Sequence, residues 1–563
     1  MSTTSVDAGV TMFAALESLG VTHVFGMPGT QTVPLFEALR RSRLVTVVPT
    51  HELAASFMAG AFFRAAGRPA VLLTIPGPGF AYALAGLAEA RLDSAAMIYL
   101  VPACDEGPDA RFALQAIPQT SLASSLAKAV LRVDAAAELA PAMHQAYALA
   151  TSGEPGPVVV MLGVSTKAAP QEGSHSVVHA MAAVPTGQVE ALTARVATAR
   201  RPVIFAGQGC IASAPALQAL VERLGAPLLT TPSARGVVPE DHPLAMGFDT
   251  HRGTVDAVNA LLGDSDLVLV LGAHLGHNGT SGHHLKFDPA SALHVDSDPA
   301  VLGRACPGES CVCLPVETFL HVLAECELRR SEWSTQELQS ARQAISTPVA
   351  RAAEPEIAGM PAARFFAVLR DALPREAMLV TDTGMHQVMT RRHLPVLSPG
   401  GLLIPSDFQS MGFGLPAMIA AKLALPQRPV VGLMGDGGLS MSGMELATAA
   451  HLGLTLPIMV FDDGKLNQIR LHQQSAFGTG HGVDLPDVDF EALAAATGVR
   501  YAEAGSDLPA ALATALAAPA PTLLRVPVGD SFGVRRVRAT ALAKATLRRT
   551  LPGSLVARLR RRR

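Results

Sequence analysis

The sequence VVGLMGDGG at residues 430–438 and the sequence IMVFDDG at residues 458–464 decide the fold. Each consists of an apolar run that ends in glycine and aspartate. Between them, residues 442–452 carry apolar side chains at a helical period. The pattern predicts a strand, a helix and a second parallel strand, joined by a right-handed crossover. The carboxyl ends of the two strands are therefore expected to lie side by side.

Two aspartates follow these strands. Asp436 comes after the first strand and Asp463 after the second, so both carboxylates are expected at one crevice of the sheet. The adjacent glycines free the backbone, and a helix N-terminus nearby offers N–H groups to an anion. Such a pair of carboxylates suits a Mg²⁺ ion that bridges a diphosphate. The alternative is that these are two turn aspartates with unrelated roles.

The same alternation of apolar runs and helical patterns extends along the 563 residues. Continuous runs of Val, Leu and Ile indicate parallel strands that are covered on both faces. We therefore expect an α/β protein with three open α/β domains and mostly parallel sheets. Strands are predicted at 44–48, 70–75, 97–101, 158–162, 203–206, 227–230, 267–271, 293–295, 378–381, 430–434, 457–461 and 522–526.

Two stretches, 163–186 and 346–361, have the proline-rich or small and polar composition of linkers. They divide the chain into a first domain at 1–175, a central domain at 186–340, a third domain at 360–532 and a basic tail at 533–563. A common fold for the first and third domains is compatible with this pattern, although the sequence contains no usable repeat.

The composition is that of a folded protein, with 49% apolar and 16% charged residues. Residues 535–563 carry eleven Lys or Arg and no acid, and removing them from the formal net charge of −3 leaves −14 on the preceding residues. A basic tail on an acidic body indicates contact with the body, an anionic ligand, a membrane or nucleic acid. A solvated terminus is the alternative.

The cysteine pattern and the N-terminus predict a cytoplasmic protein. Six cysteines occur without a C-x-x-C pair, which favours a reducing compartment. Residues 1–9 lack the basic and apolar regions of a signal peptide. No apolar run is long enough to span a bilayer.

Residues 435–463 resemble the thiamine diphosphate signature of acetolactate synthases, pyruvate oxidases and 2-oxoacid decarboxylases, which begins Gly-Asp-Gly and usually ends Asn-Asn. The resemblance covers nearly the whole chain and is closest to the acetolactate synthase-like branch. It implies a pyrimidine-binding, a central and a diphosphate-binding domain. It implies that the cofactor is held by Gly435, Asp436, Gly437, Gly438 and Asp463, and Mg²⁺ by Asp436, Asp463 and the backbone carbonyl of Lys465. Aspartate at position 463 stands where the family usually has asparagine; it keeps an oxygen ligand for the metal and adds a negative charge.

Three further motifs resemble family segments. In HELAA (51–55), Glu52 is expected to hydrogen-bond the aminopyrimidine ring and so promote removal of the C2 proton. In MGFGLP (411–416), Met411 is expected to hold the two cofactor rings in a V shape. DTGMHQ (382–387) implies diphosphate contacts that are made by Gly384, His386 and Gln387.

Two weaker correspondences concern the reacting centre. Gly29 would line the pocket near the thiazolium, and Gln115 would contact the reacting carbonyl, although the acid that follows in the family is Ala116 here. In the central domain, Gly207-Gln208-Gly209 is a weak dinucleotide fingerprint that a plain strand–helix turn explains equally well. FAD binding in this domain is therefore left open.

The resemblance implies decarboxylation of a 2-oxo acid and transfer of the acyl carbanion to a second carbonyl compound. His472 stands where synthases of branched-chain precursors carry tryptophan, which favours a related carboligase or decarboxylase over a strict acetolactate synthase. One alternative is a flavin-dependent 2-oxo acid oxidase. Another is a catalytically silent regulatory or binding subunit, against which the retained Glu52 and Asp436 argue.

The resemblance also implies an assembly. In the family, the pyrimidine site of one subunit faces the diphosphate site of another, so a homodimer or homotetramer is expected. The basic tail could fold over the active site and meet an anionic substrate there, or bind another partner.

Overall fold

The computed structural model describes residues 3–104, 113–163, 186–247, 254–303, 310–346, 355–505 and 507–529. The basic tail that the sequence predicts at 533–563 lies outside the described residues, and so does Cys306. In the described part of the chain, no helix is both long and apolar enough to cross a membrane.

The first part of the chain forms a six-stranded parallel sheet with the order β2-β1-β3-β4-β6-β5. Its strands are β1 (His23–Gly26), β2 (Val45–Val47), β3 (Ala70–Leu73), β4 (Met97–Pro102), β5 (Ala129–Val133) and β6 (Pro157–Leu162). Its helices are α1 (Thr3–Ser18), α2 (Val33–Arg40), α3 (Glu52–Ala66), α4 (Pro78–Leu92), α5 (Gln119–Leu126) and α6 (Leu139–Thr151).

The middle part forms a five-stranded parallel sheet with the order β11-β10-β9-β7-β8. Its strands are β7 (Pro202–Ala206), β8 (Leu228–Thr230), β9 (Leu267–Leu271), β10 (Ala292–Asp296) and β11 (Cys311–Cys313). Its helices are α7 (Thr186–Thr198), α8 (Ala214–Leu224), α9 (Val255–Gly263), α10 (Val316–Ala324) and α11 (Thr335–Ser346).

The last part begins with an antiparallel hairpin, β12 (Glu356–Ile357) and β13 (Met360–Pro361), and continues as a six-stranded parallel sheet with the order β15-β14-β16-β17-β19-β18. Its strands are β14 (Met378–Thr381), β15 (Leu402–Leu403), β16 (Val430–Gly435), β17 (Pro457–Asp462), β18 (Arg500–Glu503) and β19 (Thr522–Pro527). Its helices are α12 (Ala362–Ala372), α13 (Met385–His393), α14 (Gly414–Ala424), α15 (Asp436–Ser442), α16 (Glu445–His451), α17 (Asn467–Phe477), α18 (Phe490–Thr497) and α19 (Leu508–Ala517).

The predicted α/β class is confirmed, since the three large sheets are parallel and alternate with helices. The first and third sheets have the same strand order, because β14 to β19 occupy the positions of β1 to β6. In this correspondence β16 and β17 match β3 and β4. The carboxyl ends of these central strands therefore form equivalent edges in the two sheets.

The helix expected at 442–452 is present as α16, and a second helix, α15, precedes it and ends at Ser442, where the chain turns. Another local prediction was wrong. The linker expected at 346–361 contains the β12–β13 hairpin. This hairpin is ordered by the third sheet, since Ile357 is fully buried and the Glu356 carbonyl accepts a hydrogen bond from Gly529 N (2.8 Å).

The first and third sheets share one hydrophobic core, in which α3 packs against α4 on one side and against α14 of the third domain on the other. Small side chains let α3 and α4 approach closely: a Cβ added at Gly86 of α4 would lie 1.9 Å from the Ser56 hydroxyl of α3. Phe57 and Phe413 meet edge to face with ring centroids 5.6 Å apart. The two sheets are therefore held against each other by apolar packing.

Candidate cofactor site

The third sheet brings Asp436 and Asp463 together, as the crossover predicts. Gly435 of β16 pairs with Phe461 of β17, so both strands end at the same edge. Asp436 Oδ2 accepts hydrogen bonds from the backbone N of Asp463 (3.2 Å) and of Gly464 (2.7 Å). Asp436 Oδ1 accepts from Gly437 N (2.7 Å) at the start of α15. One carboxylate thus links the ends of two strands and a helix.

The electrostatics of this pair favour a cation between them. Burial, followed by the charge of Asp463, raises the pKa of Asp436 to about 6. Burial also raises the pKa of Asp463, and Lys465 and Arg470 lower it only in part. Two partly buried carboxylates repel each other in the absence of a counter-charge. A divalent cation would supply that counter-charge with oxygen ligands that suit it.

Asp463 is held in place by a chain of side chains on α17. Its Oδ2 accepts from Asn467 Nδ2 (2.7 Å), and the Asn467 carbonyl oxygen accepts from Arg470 Nε (2.8 Å). Asp462 has a different role, because it forms an ion pair with Arg525 of β19 (2.7 Å). Lys465 presents a backbone carbonyl that accepts from Asn467 N (2.8 Å).

The sequence did not single out Asp382, which has a central place in the site. It is completely buried at the end of β14 and its Oδ2 accepts from Gly412 N (3.0 Å) and Gly414 N (3.2 Å). A Cβ added at Gly438 would lie only 2.7 Å from the same oxygen. Asp382 therefore fixes the segment around Met411 and lies against the start of α15. The motif DTGMHQ contains it, but its partners lie about thirty residues farther along the chain.

Three of the predicted cofactor glycines lie where a side chain would not fit. Gly384 has a φ of 153°, and a Cβ there would lie 2.9 Å from the His386 ring. A Cβ at Gly435 would approach the same ring to 3.0 Å, and Gly438 faces Asp382 as described. His386 stacks on Phe461 at 6.1 Å. Because these three positions carry no side chain, a ligand at this edge of the sheet would contact backbone atoms.

Met411 and Gln387 are the two remaining side chains predicted to hold the cofactor in this domain. The Met411 methyl group would lie 3.3 Å from a Cβ at Gly437, so the side chain packs on the start of α15. Gln387 is buried on α13, with its amide nitrogen 3.5 Å from the Pro405 carbonyl. The structure therefore brings all of the predicted third-domain residues to one edge of the sheet.

The predicted first-domain residues meet at the equivalent edge of the first sheet. Glu52 begins α3, and its Oε1 would lie 3.2 Å from a Cβ at Gly79, at the start of α4. A Cβ at Gly29 would lie 2.3 Å from the Ile75 side chain. Gln115 accepts a hydrogen bond from the Gln31 side chain. Loops that follow β1, β3 and β4 thus assemble a second cluster.

The backbone of Gln115 is strained. Its φ is 62°, in the left-handed region that glycine favours. A Cβ at Gly77 would lie 2.4 Å from the Gln115 carbonyl oxygen, so the two backbones are in close contact. Strained residues of this kind are concentrated at functional sites, where the surrounding structure holds them.

Comparison with known proteins agrees with this geometry. Three family profiles match in sequence: the N-terminal TPP binding domain of thiamine pyrophosphate enzymes at 6–123, the central domain at 189–323 and the C-terminal TPP binding domain at 382–526. The chain belongs to the thiamine pyrophosphate enzymes. It is thus a thiamine diphosphate-dependent enzyme that acts on carbon–carbon bonds, and the predicted family is confirmed.

Similar proteins place this thiamine pyrophosphate enzyme near the acetolactate synthases. It is 30% identical over 528 residues to the acetolactate synthase isozyme 1 large subunit of Escherichia coli, and the aligned region covers 91% of this chain and 92% of that relative. It is 29% identical over 512 residues to a probable acetolactate synthase large subunit of Methanocaldococcus jannaschii, with 86% and 85% covered. A probable 2-ketoarginine decarboxylase of Pseudomonas aeruginosa is 30% identical over 487 residues, with 83% and 84% covered.

Two buried polar atoms at the third-domain edge fit the cofactor of these enzymes. Thr383 Oγ1 and His386 Nε2 are buried without a hydrogen-bond partner among the described residues. Burial lowers the pKa of His386 to about 4, so the ring is neutral, and its hydrogen bond to the Asp382 backbone opposes this shift only in part. A diphosphate oxygen would accept from the Thr383 hydroxyl, and a donor on the cofactor or a water molecule would satisfy His386 Nε2; both groups otherwise bear a desolvation cost.

One cysteine reaches the first-domain cluster, since Cys104 Sγ donates to the Gln115 carbonyl (3.3 Å). In the ranges that the structure describes, no group of three or more His, Cys, Asp or Glu is arranged to hold a metal ion. Cys311 and Cys313 lie on the edge strand β11, away from the third sheet. A magnesium site at Asp436 and Asp463 would depend on a carbonyl, the diphosphate and water for its other ligands.

Proposed function

We propose that this enzyme is a Mg²⁺-dependent carboligase or decarboxylase that removes CO₂ from a 2-oxo acid and transfers the remaining acyl unit to a second carbonyl compound. The observation that carries the proposal is the pairing of Asp436 and Asp463 at the ends of adjacent strands, next to the N-terminus of α15. Acetolactate synthase and decarboxylase relatives support both forms of the reaction.

Mg²⁺ would be held by the side chains of Asp436 and Asp463 and by the carbonyl of Lys465. The neighbouring diphosphate would lie against the backbone of Gly384 and of the 435–438 turn, with His386 and Gln387 at its side. Hard oxygen ligands and diphosphate oxygens are the environment that Mg²⁺ prefers. Asn467 supports this arrangement, because it fixes the second carboxylate.

Bound thiamine diphosphate supplies an acidic carbon that adds to the 2-oxo acid and a ring that accepts electrons as CO₂ leaves. Glu52 would hold a proton at the aminopyrimidine ring, and Met411 would hold the two rings at an angle. Gln115 would orient the reacting carbonyl, and Gly29 would leave room for the thiazolium. Each of these residues binds, orients or holds a proton, and the electron sink belongs to the cofactor.

The active site would be completed by a second copy of the chain, in a homodimer or homotetramer. Glu52 begins a helix of the first domain and contacts Gly79 there, whereas Asp436 begins a helix of the third domain and contacts Asp463 and Gly464. Exposed methionines, Met441 (59%) and Met444 (58%), line a cavity of about 510 Å³ between α3 and α15. Apolar exposure of this kind supports a subunit interface at this face.

The remaining predictions are retained as part of this proposal. The three domains would extend over 1–175, 186–340 and 360–532, in a cytoplasmic enzyme. The basic tail at 533–563 would contact the active site, an anionic ligand or another partner.

The test is incubation of the purified protein with Mg²⁺, thiamine diphosphate and a panel of 2-oxo acids, with CO₂ and ketols measured by mass spectrometry. Ketol formation would support a carboligase, and CO₂ with aldehyde alone a decarboxylase. Glu52→Gln should abolish turnover in either case. Visible absorbance that substrate bleaches would instead indicate FAD and an oxidase. A protein that releases no CO₂ from any 2-oxo acid would contradict the proposal.

A further inference from the structure

The segment 404–411 follows β15, lies before α14 and ends at Met411. Residues of all three domains contact its backbone. From the first domain, Arg64 Nη1 donates to the Ile404 carbonyl (2.7 Å) and Asp93 Oδ1 accepts from Ser406 N (3.2 Å). From the second domain, the Asn278 amide donates to the Ser406 carbonyl. The position of Met411 therefore depends on residues outside the third sheet.

Among these contacts from the first and second domains, the one made by Glu89 lies nearest to Met411 along the chain. It is 2% exposed on α4 of the first domain, and its Oε2 accepts from Ser410 N (3.0 Å). Its Oε1 is buried without a hydrogen-bond partner among the described residues. On the other side of Met411, Asp382 holds Gly412. The methionine thus lies between two backbone positions that are each fixed by a buried carboxylate.

Burial and a neighbouring carboxylate raise the pKa of Glu89. Asp93 lies one turn farther along α4, Arg64 faces both carboxylates from α3, and Asp407 of the segment 404–411 faces Asp93. Arg64 is paired with Asp93. Burial and the charge of Asp93 raise the pKa of Glu89 to about 7. The hydrogen bond from Ser410 N is charge-assisted, and therefore strongest, in the ionised form.

We propose that Glu89 is a positioning residue for the cofactor, which fixes Met411 through Ser410. The proposal rests on the proposed role of Met411 against the cofactor rings. Glu89 itself does not touch the cofactor in this account. Its effect passes through the backbone of the segment 404–411, across the boundary between the first and third domains.

The test compares Glu89→Ala and Glu89→Gln with the wild type at pH values below and above 7. Thiamine diphosphate binding is measured by calorimetry in the presence of Mg²⁺, and the near-ultraviolet circular dichroism of the bound cofactor reports ring geometry. Glu89→Ala should weaken binding roughly tenfold and alter the dichroism, since a charge-assisted hydrogen bond is lost. The wild type should bind more tightly above pH 7, and Glu89→Gln, which keeps an acceptor but cannot ionise, should lose this dependence.

The matched control is Asp296→Asn, which changes a carboxyl that is equally buried and accepts one backbone hydrogen bond, from Asp298 N (2.9 Å), in the second domain. It should leave cofactor binding unchanged. Wild-type affinity and dichroism in Glu89→Ala, or the same pH dependence in Glu89→Gln, would overturn the proposal, and so would equal weakening in the control. If Glu89→Ala does not fold, Glu89→Gln carries the test. A wild type that binds no thiamine diphosphate would refute the proposed function itself and this inference with it.

Discussion

The contact between Gly438 and Asp382 provides a sharp test of the site's geometry. In Gly438→Ala, the new methyl group would lie 2.7 Å from Asp382 Oδ2 and 2.9 Å from Cγ. Ordinary contacts between nonbonded carbon atoms begin near 3.5 Å, so the carboxylate must move by roughly half an ångström or more. It cannot move freely, because it is completely buried and holds Gly412 and Gly414.

Gly438→Ala should lower the stability of the folded protein, because it overpacks the site and weakens these hydrogen bonds. Overpacking of this kind typically lowers the free energy of unfolding by about 1–3 kcal/mol. Because the strain acts on the backbone at 412 and 414, it should appear as local opening of α14 and the residues before it. Amide hydrogen exchange there should become roughly 5- to 150-fold faster, since exchange through local opening follows the local free energy.

The measurement is hydrogen exchange by mass spectrometry on peptides that cover residues 411–424, without cofactor or metal. The matched control is Gly263→Ala at the end of α9, where a Cβ would meet no atom within 4 Å. This variant should be neutral or slightly stabilised. Exchange in Gly438→Ala that is indistinguishable from the control would refute the packing argument, because it would mean that Asp382 does not constrain this turn.

Three further predictions concern buried charge, the domain contact and the metal. In the folded state the pKa of Glu89 is about 7, above its ordinary value of 4.5, so between these pH values the folded protein holds a proton that the unfolded chain releases. The free energy of unfolding should therefore fall by about 3 kcal/mol as the pH rises from 4.5 to 7. Urea unfolding should show that Glu89→Gln lacks this fall; an equal slope in both proteins would contradict it. Phe57→Ala should cost about 3–5 kcal/mol in thermal unfolding, whereas the control Leu114→Ala, at an 85% exposed side chain, should stay within about 0.5 kcal/mol; similar losses in both would argue against the shared core. Asp463→Asn should keep Mg²⁺-dependent cofactor binding, because the amide still offers an oxygen ligand. Asp463→Ala should lower the cofactor affinity by more than the roughly 10–100-fold that is typical when a residue behind a metal ligand is removed. Equal affinities of the two variants in calorimetry would mean that residue 463 is not a ligand.

The proximity of Asp436 and Asp463 could be predicted because the strands before them are neighbours both in the sheet and along the chain. Asp436 and Asp463 follow strands joined by a short crossover, and parallel pairing brings their ends together without further information. The apolar runs likewise predicted most of the interior strands, but they missed β1, which lies buried between β2 and β3 and has only four residues. The edge strands β5, β11, β15 and β18 were also missed. Several of them are short or carry polar residues, as β18 does with the exposed Arg500 and Glu503.

Contacts between distant segments could not be predicted in this way. Asp382 and Gly412 are thirty residues apart, and Glu89 and Ser410 are 321 apart. No periodicity relates them. The first contact forms when loops of the third domain meet, and the second forms only when the first and third domains pack against each other. The left-handed conformation of Gln115 is equally invisible in sequence, because glutamine has no preference for it.

The central claim is that Asp436 and Asp463 hold a divalent ion that binds the diphosphate of thiamine diphosphate. Calorimetric titration of the full chain with this cofactor tests it most directly, with and without Mg²⁺, in the wild type and in Asp436→Ala. We expect saturable binding by the wild type in the presence of Mg²⁺, and a large loss of affinity when either the metal or the carboxylate is removed. Binding that is absent from the magnesium-saturated wild type, or that is unaffected by both removals, would contradict it.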